Sequence, residues 1–491
     1  MSAAGPRLTA RSRWWRRRGR AFFVVLVGLL VLLGVAGTGV VSGPGGGAAR
    51  AVSRPFASPA SCGPTQGVCP AQVVVGTGAW CWFADPRAVH INRGGIDEVV
   101  VGWLSPTGKV MVETIDAHGV ARQTEISHDY ADDHNSPTIS VEPDNRITVY
   151  WSVHNGGHLY YETTLHPGDI SSWSHSRYLP SNTPGRWGFT YPNPVILPAE
   201  ANRHYLFWRG GDWEPTFSTR TNTGQWSQAH VLINFPGRRP YTKVASNGAN
   251  RIALAFTDGH PDNNVTSIYF AELHGGGLYS AAGQYIGRLG SEPIVPSAQT
   301  IVYDARASGN VRSWLQDVAF DRAGHPIIAY SIYPPGQSAQ YWYARWDGHR
   351  WLRHFLVEAG PSIAVGQPHY LGGMVLDHAR PGIVYLSTMV AGDQQLQRWT
   401  TQDGGHTWTV LPMTTGDQLE LRPVVAQELP GVSTPASTIF VLRGRYINYW
   451  HFHTAVTMFS SRFEISHAPA TTATDRDRAR DLSGTATTDG D

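Results

Sequence analysis

Thr401-Gln402-Asp403-Gly404-Gly405-His406-Thr407-Trp408 reads as the closure of a β-hairpin, with Asp and Gly turning the chain and Trp left to pack between neighbouring sheets. Trp346-Asp347-Gly348-His349-Arg350-Trp351 is a degenerate copy. Working outward from them, one pattern recurs along residues 95–450: a turn, a short apolar strand, a polar loop and an aromatic-rich strand. The apolar strands fall at 99–103, 147–151, 205–208, 252–256, 327–330, 383–386 and 439–442. Copies at intervals of roughly fifty to seventy residues have the spacing of propeller blades, each a four-stranded antiparallel sheet. The expected fold is therefore all-β, a seven-bladed β-propeller. Asp144-Asn145, Asn247-Gly248 and Asp321 to Gly324 supply turn residues between strands.

The bulk composition agrees. Among 491 residues there are 18 Trp, 20 Tyr and 53 Gly, with only 15% charged, which suits many short aromatic strands and tight turns and argues against a helical bundle. Of the 39 Lys and Arg, nine precede residue 61, where there is no Asp or Glu, so the rest of this +2 chain carries −7. The basic balance is thus a targeting feature and no footprint for nucleic acid. Residues 1–20 form a basic, cytoplasmic n-region, 21–41 an uncharged apolar run, 42–70 a Gly/Pro-rich linker, 71–466 the propeller and 467–491 a polar tail read as disordered. An apolar run of this length at ~1.5 Å rise spans a hydrocarbon core of about 30 Å. It serves either as a transmembrane signal anchor, leaving the protein on the outer face of the cell membrane, or as a cleaved signal peptide that leaves it secreted. Cys62 and Cys69 flank a loop and could pair; Cys81, within the apolar stretch 80–83, reads as a buried free thiol.

In a propeller the innermost strand of a blade starts at the face to which the second strand returns. Residues just before first strands and just after second strands should therefore crowd one funnel around the axis. Before first strands lie His134 and Asn135, Tyr191 and Asn193, Arg239, Tyr241 and Lys243, Gln367 and His369, and Arg422; after second strands lie His154 and Asn155, Arg209, and Asp258 with His260. Such a pocket is electropositive and calls for an anionic ligand. Imidazole, phenol and guanidinium together suit proton abstraction beside a carboxylate, which in a uronic-acid polysaccharide is β-elimination. Hydrolysis ordinarily uses two carboxylates, and only Asp258 offers itself. Each residue has a plainer alternative: turn histidines at the surface, Tyr191 packing beside prolines, Arg209 pairing with Asp212 or Glu214, and Asp258 with His260 shaping a loop or holding a structural cation.

Trp80-Cys81-Trp82-Phe83-Ala84-Asp85-Pro86-Arg87, His134-Asn135-Ser136-Pro137, Tyr191-Pro192-Asn193-Pro194, Arg239-Pro240-Tyr241-Thr242-Lys243 and Phe256-Thr257-Asp258-Gly259-His260-Pro261 resemble the BNR-repeat propeller family that includes ulvan lyases and rhamnose–glucuronate lyases. The resemblance covers most of residues 75–455. It implies a seven-bladed propeller acting on an acidic polysaccharide, with His134, His154, Tyr191 and Arg209 as catalytic residues and Arg209 neutralising the uronate. One histidine and Tyr191 would then share the roles of base and acid. Asn135, Asn193, Arg239, Tyr241, Lys243 and His369 would bind substrate. No cofactor or catalytic metal is expected, although a structural divalent cation has room, and a monomer is expected. Two other readings stand beside the lyase: a glycoside hydrolase that removes terminal rhamnose from glucuronate, signalled by a carboxylate or lone histidine at the opposite face, and a non-catalytic glycan-binding propeller in which Trp187, Trp208 and Trp213 stack on sugars.

Overall fold

A computed structural model describes residues 50–53, 71–430 and 437–460. The expectations for the n-region, the apolar run, the Cys62–Cys69 pair and the tail lie outside the described residues. Among the described residues no helix is long and apolar enough to cross a membrane.

Each of the seven apolar repeats becomes the second strand of its own sheet. In the first blade Ile96–Leu104 lies between Ala88–Arg93 and Lys109–Asp116. In the second, Ile147–Ser152 lies between Thr138–Val141 and Leu159–His166. The same order recurs around Arg203–Arg209, Arg251–Thr257, Pro326–Tyr333, Ile383–Val390 and Thr438–Asn448. The middles of these strands are apolar because both faces are covered by adjacent blades; Ile147–Ser152, for instance, is buried along its whole length. The innermost strands pack side by side in sequence order and the last meets the first, which closes the ring. Backbone hydrogen bonds also close the ring: Ala71–Thr77 pairs antiparallel with His451–Ser460, so the start of the propeller forms the outermost strand of its last blade. Arg50–Ser53, within the segment read as linker, adds a strand to the outer edge of the first blade.

The hairpin at 401–408 behaves as its residues demand. Asp403 accepts from the backbone N–H and hydroxyl of Thr407, Thr401 caps Gly405 N, and Trp408 donates to Gly405 O. The Trp408 ring then packs edge-on to Tyr343 of the preceding blade at 5.2 Å. The Asp144-Asn145 and Asn247-Gly248 turns close hairpins between first and second strands, with Asn145 and Gly248 in the left-handed region at φ 67° and 75°.

The segment between Ala71–Thr77 and Ala88–Arg93 crosses the axis and plugs it. Phe83 meets Tyr191, Tyr241 and Trp314 at 5.6, 4.6 and 5.3 Å, and Trp82 meets Tyr370 at 4.8 Å, so four blades are tied to one apolar stretch. Polar bonds lock the same segment: Cys81 N donates to Asp133 O, Asp85 N to Asn193 Oδ1, and Arg87 to Asp85 and Cys81 O. Cys81 is a buried free thiol here. Because Phe83 is 2% exposed with aromatic neighbours on several sides, Phe83→Ala leaves a cavity that nothing nearby can fill. It should cost about 3–5 kcal/mol of unfolding free energy, read as a lowered denaturation midpoint.

Candidate active site

The axial plug is the floor of a site that loops from several blades complete. His134 sits in a single 3-10 turn, Asp133–Asn135, capped by the side chain of Asp132, just before the second blade. His154 follows the second strand of that blade, and its backbone N–H donates to Asn135 Oδ1 at 2.7 Å. The two imidazoles stack face to face, with centroids 3.8 Å apart and planes 4° from parallel. One carboxylate holds both: Asp132 Oδ1 binds His134 Nδ1 at 2.6 Å, and Oδ2 binds His154 Nδ1 at 3.0 Å and accepts from Trp450 Nε1 at 3.1 Å.

Stacked imidazoles cannot both carry charge cheaply, and their surroundings decide which one does. Burial disfavours the imidazolium of His134, but the Asp132 carboxylate and the hydrogen bonds that the ring donates to Asp132 and Asp133 outweigh it and raise its pKa well above the ordinary value. Burial and the neighbouring His134 charge instead push His154 down to about 4, against the pull of Asp132. At neutral pH His134 is the cation and His154 the neutral ring. Since His154 Nδ1 faces a carboxylate, it carries the proton, and Nε2 keeps its lone pair.

That lone pair faces Arg209, whose Nη2 lies 3.2 Å from His154 Nε2 and whose Nη1 donates to Tyr241 Oη at 3.3 Å. The guanidinium rests over the Tyr191 ring at 4.5 Å. Among the described residues Arg209 pairs with neither Asp212 nor Glu214; it is a buried cation without a carboxylate. Tyr191, at φ 61°, is a bulky residue in the left-handed region at the site. Burial raises its phenol pKa well above the ordinary value, despite Arg209, so it stays protonated.

Across the floor, His260 lies 5.4 Å from Tyr241 and 4.9 Å from Trp314, edge to face. His369 Nδ1 is bonded to Asp262, and the His369 carbonyl accepts from Tyr333 Oη. Arg239 leans on Trp213 at 5.2 Å. His134, His154, Tyr191, Arg209 and Tyr241 thus meet in one cluster, and Arg239 and His369 stand beside it. Other predicted residues are committed elsewhere. Lys243, 2% exposed, binds Asp85 Oδ2 at 2.5 Å beneath Phe83, an interior ion pair set by the plug. Asn193 fixes the plug to the backbone of Tyr191, and Asn135 holds the two histidine loops together. Asp258 accepts from Ser267 N and Arg306, shaping its loop. Trp208, 3% exposed, donates to Asn182 and faces no open surface.

Sequence reasoning missed Asp132 and Asp133, although the run Ala131-Asp132-Asp133-His134-Asn135 carried the signal: carboxylates beside a histidine fix its tautomer. It also missed Tyr449 and Trp450. Tyr449 meets both imidazoles edge-on, at 5.1 and 6.0 Å. These residues follow a second strand as the funnel rule requires, but Thr438–Asn448 runs past its apolar core and hid the turn. Two groups, Cys81 with Asp133 and His134, and Asp132 with His134 and His154, bring metal-ligating atoms within 4.8 Å of one another. Their carboxylates are already taken up by histidines, Arg422 and Tyr446.

Residues 100–359 match the model of a family described as BNR repeat-containing family member. No curated protein sequence matches the chain. Among solved structures, a PL25 ulvan lyase bound to an oligosaccharide of glucuronate and 3-sulfated rhamnose superposes with a TM-score of 0.57 at 15% identity, covering 79% of this chain and 95% of that one. The polysaccharide lyase Uly1 superposes with a TM-score of 0.52 at 12% identity, covering 80% and 98%. At such identities the likeness is one of fold.

Proposed function

The chain belongs to the BNR repeat-containing family, and from that premise we propose that it is an exported polysaccharide lyase, cleaving a glycan of the rhamnose–glucuronate type by β-elimination. The observation that carries this reading is the convergence of a neutral imidazole, a protonated phenol and an unpaired guanidinium. Arg209, with no carboxylate of its own, receives the uronate carboxylate and lowers the cost of charge building at C5. His154 Nε2 takes the C5 proton, the electron pair forms the C4–C5 double bond, the C4–O bond breaks, and Tyr191 protonates the departing oxygen. His134 remains charged; it holds Asp132 ionised and keeps its stacked neighbour neutral. No step draws on a cofactor. The enzyme acts as a monomer, held at the outer face of the membrane by residues 21–41 or released once they are cleaved.

The test is the absorbance of the unsaturated uronate at about 235 nm during incubation with ulvan and with rhamnose–glucuronate-capped arabinogalactan. His154→Ala and Tyr191→Phe should each lower the rate by about 10²–10⁴-fold. Because the base must be unprotonated, kcat/KM in the wild type should fall only as pH drops toward about 4, well below an ordinary histidine limb. A limb near 6.5 would remove His154 from the base role.

One observation keeps the hydrolase reading alive. The opposite end of the axis holds a cavity of about 280 Å³ lined by Asp85, Glu428 and His378. The imidazole of His378 lies 3.0 Å from Asp317, whose charge raises its pKa against the effect of burial. Release of rhamnose with a flat absorbance trace, abolished by His378→Ala, would move the chemistry to that face.

A further inference from the structure

Buried or half-buried arginines in this protein commonly face carboxylates: Arg87 meets Asp85, Arg251 meets Glu272, Arg345 meets Asp321 and Arg443 meets Glu420. Arg209 does not, and neither does Arg239. Among the described residues no carboxylate lies within ion-pair distance of Arg239, and its Nε is buried without a partner. The acid that senses its charge, Asp262, is already bonded to His369. Arg239 is half-buried, with its Nε withdrawn from water, and a guanidinium so placed without a counter-ion gains from a ligand that supplies one.

The surroundings hold this cation in place. Arg239 lies over Trp213 at 5.2 Å; Trp213 stacks on Trp187 with centroids 4.8 Å apart and planes 16° from parallel; Arg186 caps the far side of Trp187 at 5.1 Å. Stacking leaves the in-plane N–H donors of a guanidinium available. The two loops carrying the tryptophans are tied by Arg186 N donating to Asp212 Oδ1 at 2.8 Å and Gly211 N to Thr183 Oγ1 at 3.0 Å. They approach so closely that a Cβ on Gly185 would fall 2.5 Å from Asp212 N. Asp212 and Trp213 both adopt left-handed conformations, at φ 52° and 65°, and such strain persists where the surroundings impose it, often at ligand clamps. The stack begins four residues after Arg209, on the same face. His260 links the two cations: it packs on Tyr241, to which Arg209 donates, and burial together with the charges of Arg239 and Arg209 drives it down to about 3.

We infer that Arg239, held over the Trp213 ring of the Trp213–Trp187 pair, forms a second anion subsite beside Arg209, which takes an anionic substituent of a neighbouring sugar. The inference rests on the lyase reading for what Arg209 holds, and it narrows the substrate to a polymer with repeated acidic groups, as against a neutral glycan bearing one terminal uronate. The second anion is a sulfate ester or a second carboxylate; a guanidinium recognises both through paired N–H donors.

Equilibrium binding separates these sources when measured in the Tyr191→Phe background, which slows turnover by about 10²–10⁴-fold. The probes are ulvan, its desulfated form, its carboxyl-reduced form and the neutral polymer given both treatments. Arg239→Gln and Trp213→Ala should each weaken binding to ulvan by about tenfold. Arg239→Lys should recover only part of it, since a lysine keeps the charge but not the flat fork; unchanged melting temperatures show that the variants fold. A penalty lost on the desulfated polymer assigns the subsite to sulfate, and one lost on the carboxyl-reduced polymer assigns it to carboxylate. An equal penalty on the neutral polymer, no penalty on ulvan, or no binding of ulvan by the parent protein at low salt overturns the inference. Elimination is read separately, in the protein with Tyr191 intact, so the lyase reading and the subsite can fail independently.

Discussion

Asp132→Asn should leave the propeller folded and KM for an acidic glycan little changed, while lowering kcat by about 10³–10⁴-fold. A single carboxylate there accepts from both imidazoles, and an amide has one accepting oxygen where the carboxylate has two. Whichever way the amide turns, its NH₂ faces one Nδ1 and requires that nitrogen to be unprotonated. If His154 is the ring so affected, its proton moves to Nε2, and the lone pair that should take the substrate proton is gone. If His134 is affected, it loses the charge that helps keep its stacked neighbour neutral, while His154 also loses the Asp132 carboxylate that raises it. The second outcome has its own signature: the acid limb of kcat/KM moves away from about 4, upward where the lost His134 charge dominates and downward where the lost carboxylate does. Steady-state rates across pH would check both. A variant with wild-type kcat and an unmoved limb would show that Asp132 neither selects the tautomer nor sets the charge.

The propeller was legible because its signal is repeated. Each copy placed one apolar strand between turn residues, and all of them became second strands. The funnel followed from topology alone, which is why His134, His154, Tyr191, Arg209 and Tyr241, far apart in the chain, could be gathered beforehand. What the pattern could not convey was orientation within the funnel. Lys243 and Tyr241 are two residues apart, but Tyr241 lies just before the strand Thr242–Ser246 and Lys243 within it, so strand alternation does not relate them; one reaches Arg209 while the other descends to Asp85. Nor could it show that residues 79–87 cross the axis, because the partners of that plug are scattered from Asp133 to Arg422. The plug turns what would be an open channel into a site with a floor, and it explains why aromatic residues near the axis serve packing more than sugar contact.

Against the plug, Asp133 and Arg422 form a buried pair whose rupture should destabilise the protein strongly. Both are about 1% exposed; Arg422 binds Asp133 Oδ2 and the carbonyl of Trp80, lies over the Trp82 and Tyr446 rings at 4.2 and 4.0 Å, and shares the carboxylate with Tyr446 Oη at 2.7 Å. Arg422→Met strands an anion in the interior, and Asp133→Asn strands a cation, so each should cost about 3–5 kcal/mol. The double variant should lose less than the sum of the two, because neither charge is then left alone. Burial would raise the Asp133 pKa, but Arg422 overrides it and holds the carboxyl below its ordinary 3.8. A depressed folded-state pKa stabilises above the unfolded value, and that contribution is lost as pH falls through the folded one. Denaturant midpoints of the wild type should therefore decline below about pH 4, and Asp133→Asn should remove part of that decline. If instead the single variants melt like the wild type, or the double variant is additive, the pair is not what fastens the plug to the last blade.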